Sequence, residues 1–344
     1  MRVLILGGTE FVGRALIDAA VARGDEVSVL NRGTHSLDHR VRQLIADRRD
    51  ADAVDRVIRD AAGRWDVVLD TWSWEAYVVR DAARILQPVA DHYLYVSTRS
   101  VYADPLLPGS DESASTIDAS ADDGDPSMQP SRDAVRDYAQ MKRGAEIAIL
   151  AAFGHRATLV RPGLILGPHE NIGRLPWWLS RMARGGEVLA PGRPEFGIQY
   201  VDARDLADFI LLLAERRGFG VFDAVSPAGQ FTLGQLLAAC AAVAGSPEDP
   251  PRLHWTPEEQ VLEAGVQPWI ELPVWLPQGV DHAAMHESDV SKAVSAGLRC
   301  RPVVETVADT WTWLRSIGGV APQRADRPVI GLDPAEEEAI LGGL

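Results

Sequence analysis

Cysteine is nearly absent from this 344-residue chain, which carries only Cys240 and Cys300. The two residues are far apart and lack the close Cys or His spacing of a zinc site. A disulfide framework is therefore disfavoured, and we expect two free thiols. His282 and His286 stand four residues apart, but no third ligand accompanies them, so we predict no metal site.

Long apolar runs are also missing from the sequence. No stretch provides the roughly 20 apolar residues that a helix needs to cross a bilayer. The first apolar run ends at Leu6, where glycines follow at once, and this is unlike a secretory signal peptide. We therefore expect a cytoplasmic protein with no membrane partner.

Positive charge is scarce, because 34 Lys and Arg residues face 49 Asp and Glu residues, for a net charge of −15. Such a charge repels polyanions, so we expect no nucleic-acid partner. Only two of the basic residues are lysines, Lys142 and Lys292. A lysine at a functional spacing is therefore informative in this chain.

The N-terminal stretch combines a strand, a glycine turn and a helix. The apolar run 2–6 is followed by Gly-Gly-Thr-Glu-Phe-Val-Gly at 7–13 and then by helical periodicity up to Gly24. Glycine permits the sharp turn and the close approach by which helix N–H groups bind a pyrophosphate. We predict that the cofactor contacts Gly7, Thr9, Glu10, Phe11, Val12 and Gly13.

The second predicted strand, 26–30, ends in Asn31 and Arg32 rather than in an acidic residue. A carboxylate at this point would bind the ribose 2′-hydroxyl of NAD, whereas a guanidinium suits a 2′-phosphate. NADP(H) is therefore the favoured cofactor and NAD(H) the alternative. The competing interpretation is that Arg32 is an ordinary solvated loop residue.

Strands and helices alternate along the first two thirds of the chain. Further strands are predicted at 44–48, 65–70, 92–97, 157–162 and 222–225. This alternation predicts an α/β fold, a Rossmann doubly wound parallel sheet with a smaller C-terminal substrate-binding region. We assign 1–163 plus about 198–226 to the dinucleotide-binding domain, 164–197 plus about 227–320 to the substrate-binding region, and 321–344 to a tail. Residues 104–130 are predicted to form a surface loop or lid.

Tyr138 and Lys142 lie four residues apart in a helix predicted over 132–153, so both side chains share one face. An unperturbed phenol has a pKa near 10, and a neighbouring lysine lowers it toward the range of a catalytic base. The lysine can also donate to the nicotinamide ribose. Thr98, after the fifth strand, is the candidate for positioning the substrate oxygen, with Ser97 or Ser100 as alternatives. With so few lysines, a Tyr-x-x-x-Lys pattern arises by chance in only roughly 3% of cases.

These motifs resemble those of the extended short-chain dehydrogenases/reductases of the NAD-dependent epimerase/dehydratase type. The resemblance is carried, in family order, by 7–13, 96–102, 138–142, 161–168 and 200–207. It implies that Thr98, Tyr138 and Lys142 are catalytic, that Asp47 and Arg48 lie near the adenine, and that the protein is a homodimer. The further predicted cofactor contacts are Thr71, Trp72, Ser97, Arg161 and Pro162, and the predicted substrate contacts are Thr98, Arg99, Trp177 and Trp178.

Three positions depart from the family pattern. Glu10 replaces the middle glycine of the turn, where a carboxylate is unfavourable beside a pyrophosphate unless it points away. Trp72 replaces a small residue after the fourth strand. Arg99 and Ser100 stand where the dehydratases of the family carry an acidic pair, which disfavours sugar dehydration.

The sequence thus predicts an NAD(P)-dependent oxidoreductase that transfers hydride to or from a carbonyl/alcohol substrate, a small molecule, with Tyr138 as general acid/base. One alternative is a nucleotide-sugar epimerase with tightly bound NAD, which uses the same three residues. The other alternative, motivated by Glu10, is a non-catalytic dinucleotide- or RNA-binding relative.

Overall fold

The computed structural model describes residues 1–127, 138–324 and 327–343. Its strands are β1 (Arg2–Leu6), β2 (Glu26–Asn31), β3 (Arg42–Ile45), β4 (Val67–Asp70), β5 (Tyr93–Val96), β6 (Ala157–Pro162), β7 (Leu164–Leu166), β8 (Glu187–Pro191), β9 (Gly197–Ile198), β10 (Tyr200–Asp202), β11 (Gly220–Ala224), β12 (Phe231–Thr232) and β13 (Arg252–Thr256). Seven of them form one sheet in the order β11-β6-β5-β4-β1-β2-β3, and every pair in it is parallel. The predicted doubly wound parallel sheet is therefore confirmed.

The helices of the described residues cover both faces of this sheet and build the smaller region. They are α1 (Phe11–Ala22), α2 (Ala51–Asp60), α3 (Ala76–Leu86), α4 (Tyr138–Phe153), α5 (Arg174–Ala183), α6 (Ala203–Arg216), α7 (Leu233–Ala244), α8 (Glu258–Glu263), α9 (Val280–His286), α10 (Ser291–Ala296), α11 (Val303–Ser316) and α12 (Pro334–Gly343). None of them combines the length and the apolar character that a membrane span requires.

Apolar side chains of the sheet point alternately into two cores, one on each face. Val3 and Ile5 of β1 pack with α1 and α6, whereas Leu4 and Leu6 pack with α2, α3 and α4. All four side chains are almost completely buried. Because parallel strands end at the same edge, this packing places the exits of β1, β2, β4, β5 and β6 beside one another.

A third apolar cluster builds the smaller region. It joins α5, α7, α11 and the strand pairs β7–β10, β8–β13 and β9–β12, with Trp178 and Trp275 among its fully buried members. The chain after 320 also contributes, because Leu332 is buried in this cluster and Glu337 of α12 is buried against it. Part of the predicted tail is therefore an integral helix of this region.

The predicted elements agree with the structure to within a few residues. The sixth strand matches 157–162, and the third is Arg42–Ile45 rather than 44–48, because its backbone pairs with Ser28–Asn31 of β2. The helix predicted over 132–153 is present from Tyr138 to Phe153, and its first part lies outside the described residues.

The acidic loop packs against the outside of the first domain over its described residues, 104–127. The backbone N–H of Ala76 donates to the Asp123 carbonyl at 2.9 Å, and Arg80 of α3 forms ion pairs with Asp122 and Asp125. Only its first part, at Asp104 and Leu106, reaches the cavity described below. Residues 128–130 of the predicted loop lie outside the described part.

Candidate active site

One cavity of about 1090 Å³ runs along the carboxyl edge of the sheet. Its wall includes the glycine turn, the exits of β2, β3, β4 and β5, and residues of α4 and of the smaller region. Parallel sheets bind ligands at this edge. The cavity is therefore the candidate site.

The glycine turn has the backbone geometry that its sequence predicts. Gly7 and Gly8 have φ angles of +102° and +86°, a region that L side chains rarely adopt. At Gly13 a Cβ would lie 2.7 Å from the Gly8 Cα, so glycine is needed for α1 to approach the turn. The predicted contacts Gly7, Thr9, Glu10, Phe11, Val12 and Gly13 all belong to the cavity wall.

Glu10 directs its carboxylate away from the N–H groups of α1. The residue is exposed, its side chain makes no capping hydrogen bond, and its Oε2 accepts a hydrogen bond from Asn171 Nδ2 at 2.9 Å. The carboxylate therefore lies against the smaller region, and the turn is left open on its cavity side.

The exit of β2 carries amide and guanidinium groups. Asn31 Oδ1 accepts hydrogen bonds from the Gly33 N–H and from Gln43 Nε2, both at 2.9 Å, while its buried Nδ2 has no hydrogen-bond partner. Arg32 is exposed beside it, and both residues line the cavity. Arg32 thus brings an exposed donor group to this edge of the cavity.

At the exits of β3 and β4, Arg48 forms a buried two-pronged ion pair with Asp70, with distances of 2.6 and 2.8 Å. The Trp72 ring lies between two arginines, with the guanidinium carbons of Arg48 and Arg49 at 5.0 and 5.2 Å from its centre. Asp47 and Thr71 also line the cavity. Asp70 thus neutralises the charge of Arg48, and the Arg48 side chain forms part of the cavity wall.

Thr98, Tyr138 and Lys142 line the same cavity as the glycine turn. Burial raises the pKa of Tyr138, while hydrogen bonding by Thr98 and the charges of Arg327 and Arg174 lower it. The phenol therefore keeps its proton at neutral pH. Ser97 also lines the cavity, but its Oγ is enclosed without a hydrogen-bond partner.

Lys142 is directed toward the ends of two strands. Its Nζ donates to the carbonyl oxygens of Val96 at 2.6 Å and Trp72 at 2.7 Å, and lies 4.5 Å from the ring centre of Tyr95. Burial lowers its pKa to about 7. The sequence predicts that Lys142 lowers the pKa of Tyr138. In the structure, the groups that lower this pKa are Thr98, Arg327 and Arg174 instead.

Arg99 and Arg161 belong to a buried polar network beside the cavity. Arg99 lines the cavity, but its guanidinium pairs with Asp223 at 2.8 Å. Arg161 pairs with Glu146 at 2.7 Å and lies outside the cavity wall, unlike its neighbour Pro162. Contact of Arg161 with the cofactor stays a prediction, and the guanidinium is engaged by the buried Glu146 carboxylate.

Trp177 and Trp178 are likewise absent from the cavity wall. Trp178 is fully buried and donates from Nε1 to the Pro273 carbonyl at 2.7 Å, and Trp177 packs edge-on against it. Both side chains belong to the apolar cluster of the smaller region, and their contact with a substrate stays a prediction. Further residues line the cavity that the sequence analysis did not predict, namely Trp74, Asn171, Arg174, Trp269, Met285, Arg324 and Arg327.

His282 and His286 border a second cavity of about 520 Å³. Both ring nitrogens of His286 contact backbone groups, with Gln199 N–H at 3.0 Å and the Val274 carbonyl at 3.2 Å. This use of both nitrogens leaves no lone pair for a metal. Within the described ranges no group of three or more His, Cys, Asp and Glu is arranged to hold a metal ion.

Comparison with known proteins identifies the family of this chain. Residues 3–223 match the model of the NAD dependent epimerase/dehydratase family, so the chain belongs to that family. It is 26% identical over 276 residues to the chloroplast stem-loop binding protein of 41 kDa b of Arabidopsis thaliana, covering 75% of this chain and 67% of that protein.

Solved structures share the fold. The Bordetella bronchiseptica enzyme WbmG, in complex with NAD and UDP, has 16% sequence identity and a TM-score of 0.63, over 93% of this chain and 96% of that one. The UDP-glucose 4-epimerase of Thermotoga maritima, with UDP-glucose, has 18% identity and a TM-score of 0.60, over 92% and 99% of the two chains. The likeness extends through the smaller region, beyond the family match.

Proposed function

We propose that the protein is a nicotinamide-dinucleotide-dependent oxidoreductase that interconverts a carbonyl and an alcohol in a small molecule. The observation that carries this proposal is that Thr98, Tyr138 and Lys142 line one cavity with the glycine turn. The Tyr138 phenol and the Thr98 hydroxyl thus share a cavity with the glycine turn. Proton transfer beside a dinucleotide requires such an arrangement.

The turn fits a pyrophosphate because its glycines leave backbone N–H groups uncovered at the start of α1. The exposed guanidinium of Arg32 in the cavity wall favours a 2′-phosphate, and hence NADP(H) over NAD(H). Calorimetric titration tests this preference, and we expect NADP⁺ to bind at least tenfold more tightly than NAD⁺. Equal affinities, or tighter NAD⁺ binding, would contradict it.

A dinucleotide held at the glycine turn would supply the hydride that reduces the carbonyl carbon. Tyr138 donates its phenol proton to the oxygen, and the Thr98 hydroxyl donates a hydrogen bond to the same oxygen. Because burial raises the pKa of Tyr138, its neutral form predominates and is suited to donate a proton. Lys142 fixes the ends of β4 and β5 through the carbonyls of Trp72 and Val96.

Replacement of Tyr138 tests the catalytic assignment. We expect Tyr138→Phe to lower turnover at least about 100-fold, because the ring remains but the transferable proton is lost. Turnover is followed by NADPH absorbance with a panel of aldehydes and ketones, and NADP⁺ affinity by calorimetry. Tyr77→Phe is the matched control, since Tyr77 on α3 is not part of the described cavity wall. Full turnover by Tyr138→Phe would reject the assignment.

A nucleotide-sugar epimerase is the second candidate, favoured by the fold shared with the Thermotoga maritima epimerase. An epimerase regenerates its dinucleotide in each cycle and retains it. Mass spectrometry of the dialysed protein distinguishes the two functions. Retained NAD in stoichiometric amount supports the epimerase, and free exchange of NADP(H) supports the reductase.

RNA binding is the third candidate, and it rests on the likeness to the chloroplast stem-loop binding protein. The net charge of −15 opposes it. A gel-shift assay with a stem-loop RNA over a range of salt concentrations tests it. Binding that competes with NADP⁺ would favour this candidate over the reductase.

A further inference from the structure

Arg174, the first residue of α5, brings a guanidinium to the cavity wall close to Tyr138. Its guanidinium carbon lies 5.1 Å from the ring centre of Trp269, which lines the same cavity. The charge of Arg174 is close enough to influence the Tyr138 phenol. An arginine that rests on an indole ring is held in a fixed orientation, with its donors free at the edge.

The Arg174 guanidinium has no acidic partner among the residues that the structure describes. Its Nε is enclosed and makes no hydrogen bond. Glu170 lies one helical turn earlier, but its two carboxylate oxygens accept from the backbone N–H groups of Arg174 and Leu175, at 2.8 and 3.2 Å. Burial lowers the pKa of Arg174, and the nearby charge of Glu170 raises it.

Other arginines of the wall form ion pairs within the protein, among them Arg49 with Glu75. Arg48 pairs with Asp70, and Arg99 pairs with Asp223. Enclosing a cation without a partner is costly, so proteins pair such groups or bind a ligand of opposite charge there. Arg174 differs from Arg48 and Arg99 in having its partner position open to the cavity.

The cavity as a whole favours an anion, although the chain is acidic. Its described wall contains eight Arg and Lys residues and four Asp and Glu residues. Arg327 adds a second cation beside the phenol, with its guanidinium carbon 5.5 Å from the ring centre of Tyr138. Asp104 and Asp281 also belong to the wall, but neither forms an ion pair with Arg174 in the described residues.

We propose that Arg174, seated on Trp269, is the binding site for a carboxylate or phosphate group of the substrate. The substrate of the reaction proposed above is then an acid, whose charged group pairs with Arg174 while its carbonyl lies at Tyr138. A carboxylate and a phosphate both match the guanidinium fork, and each can accept two parallel hydrogen bonds from it. The assignment of substrate class rests on the proposed function, whereas the anion site itself does not.

Calorimetric titration with inorganic phosphate and with malonate tests the site, on the protein with and without NADP⁺. We expect at least one of the two anions to bind, and Arg174→Gln to weaken that binding at least tenfold. Arg174→Lys keeps the charge but loses the fork, so it should retain part of the affinity. Phosphate binding identifies a phosphate ester as the substrate class, and malonate binding a carboxylic acid.

Arg193→Gln is the matched control, since the Arg193 guanidinium also lies on an aromatic ring, 5.2 Å from the centre of Phe196, but outside this cavity. It should change the anion affinity less than twofold. Absence of binding by both anions, or equal binding by wild type and Arg174→Gln, would overturn the proposal. If neither NADP⁺ nor NAD⁺ binds the wild type, the proposed function fails, while the anion titration without cofactor still decides the site.

Discussion

Glu170 is a carboxylate that the fold encloses completely at the start of α5. Burial raises its pKa to about 7, against an ordinary value of 4.5. Between these values the unfolded chain is ionised while the folded protein still holds the proton. Folding therefore loses stability as the pH rises through this interval, and the loss is complete above pH 7.

Glu170→Gln should remove this pH dependence, because the amide is neutral throughout and still accepts a hydrogen bond from the α5 backbone. Relative to wild type, we expect the variant to gain up to about 3 kcal/mol in its free energy of unfolding from below pH 4.5 to above pH 7. Urea denaturation across that range measures the difference. Parallel stability curves for the two proteins would show that the carboxyl titrates normally.

Residues set by local spacing were predictable, and residues brought in by tertiary packing were not. The glycines of the turn and the pair Tyr138 and Lys142 follow from neighbours in sequence, and all of them line the cavity. Arg174 and Arg327 come from α5 and from the C-terminal segment, and no local pattern shows that they approach Tyr138. Trp178 belongs to the buried face of its helix, which sequence alone did not distinguish from the cavity face.

Among the elements, α4 is held unusually close to its neighbours. At Gly144 an added Cβ would overlap the Ser120 carbonyl oxygen and lie 2.8 Å from the Cβ of Ala76. The helix that carries Tyr138 is thus clamped between α3 and the acidic loop. The absence of a side chain at Gly144 is what permits this approach.

Gly144→Ala should destabilise the protein by about 2 kcal/mol, because the loop or α3 must move to admit the methyl group. Gly342→Ala on α12 is the control, since nothing lies within 4 Å of its added Cβ and alanine favours a helix. Thermal and urea denaturation compare the two. A stabilised Gly144→Ala variant would mean that the loop does not pack on α4 in solution.

The pattern of apolar residues predicted most strands and helices of the main sheet, but it did not predict the residues at which they end. Short apolar runs, separated by helical segments, located all seven strands of the main sheet. Such runs are a usable signal because strands buried on both faces are continuously apolar. The end of β3 at Ile45 instead depends on its partner β2, which no local signal encodes. The short pairs β7–β10, β8–β13 and β9–β12 join segments distant in sequence, and none of them has a counterpart among the predicted strands.

On the scale of the whole molecule, the C-terminal helix is tied to the smaller region by a buried ion pair. Glu337 of α12 accepts from Arg181 Nε of α5 at 2.8 Å and from the Leu189 N–H at 3.1 Å. Both charged side chains are nearly inaccessible. Removing one partner leaves the other charge buried and unpaired.

Glu337→Gln should therefore lower the free energy of unfolding by about 3 kcal/mol. Glu338→Gln is the matched control, because Glu338 is exposed on the same helix and its loss should change stability by less than about 0.5 kcal/mol. Urea denaturation monitored by tryptophan fluorescence measures both. Equal stability of the two variants would show that α12 is not docked in solution.

The cavity wall is drawn from two stretches of chain with different constraints. Residues 3–223 match the family model, yet Trp269, Arg324 and Arg327 lie beyond that range and complete the wall. The part of the wall that lies beyond the family match thus adds an indole ring and two guanidinium groups to the residues that the match covers. Substitutions confined to these three positions would change the shape and the charge of the cavity and leave every residue of the family match as it is.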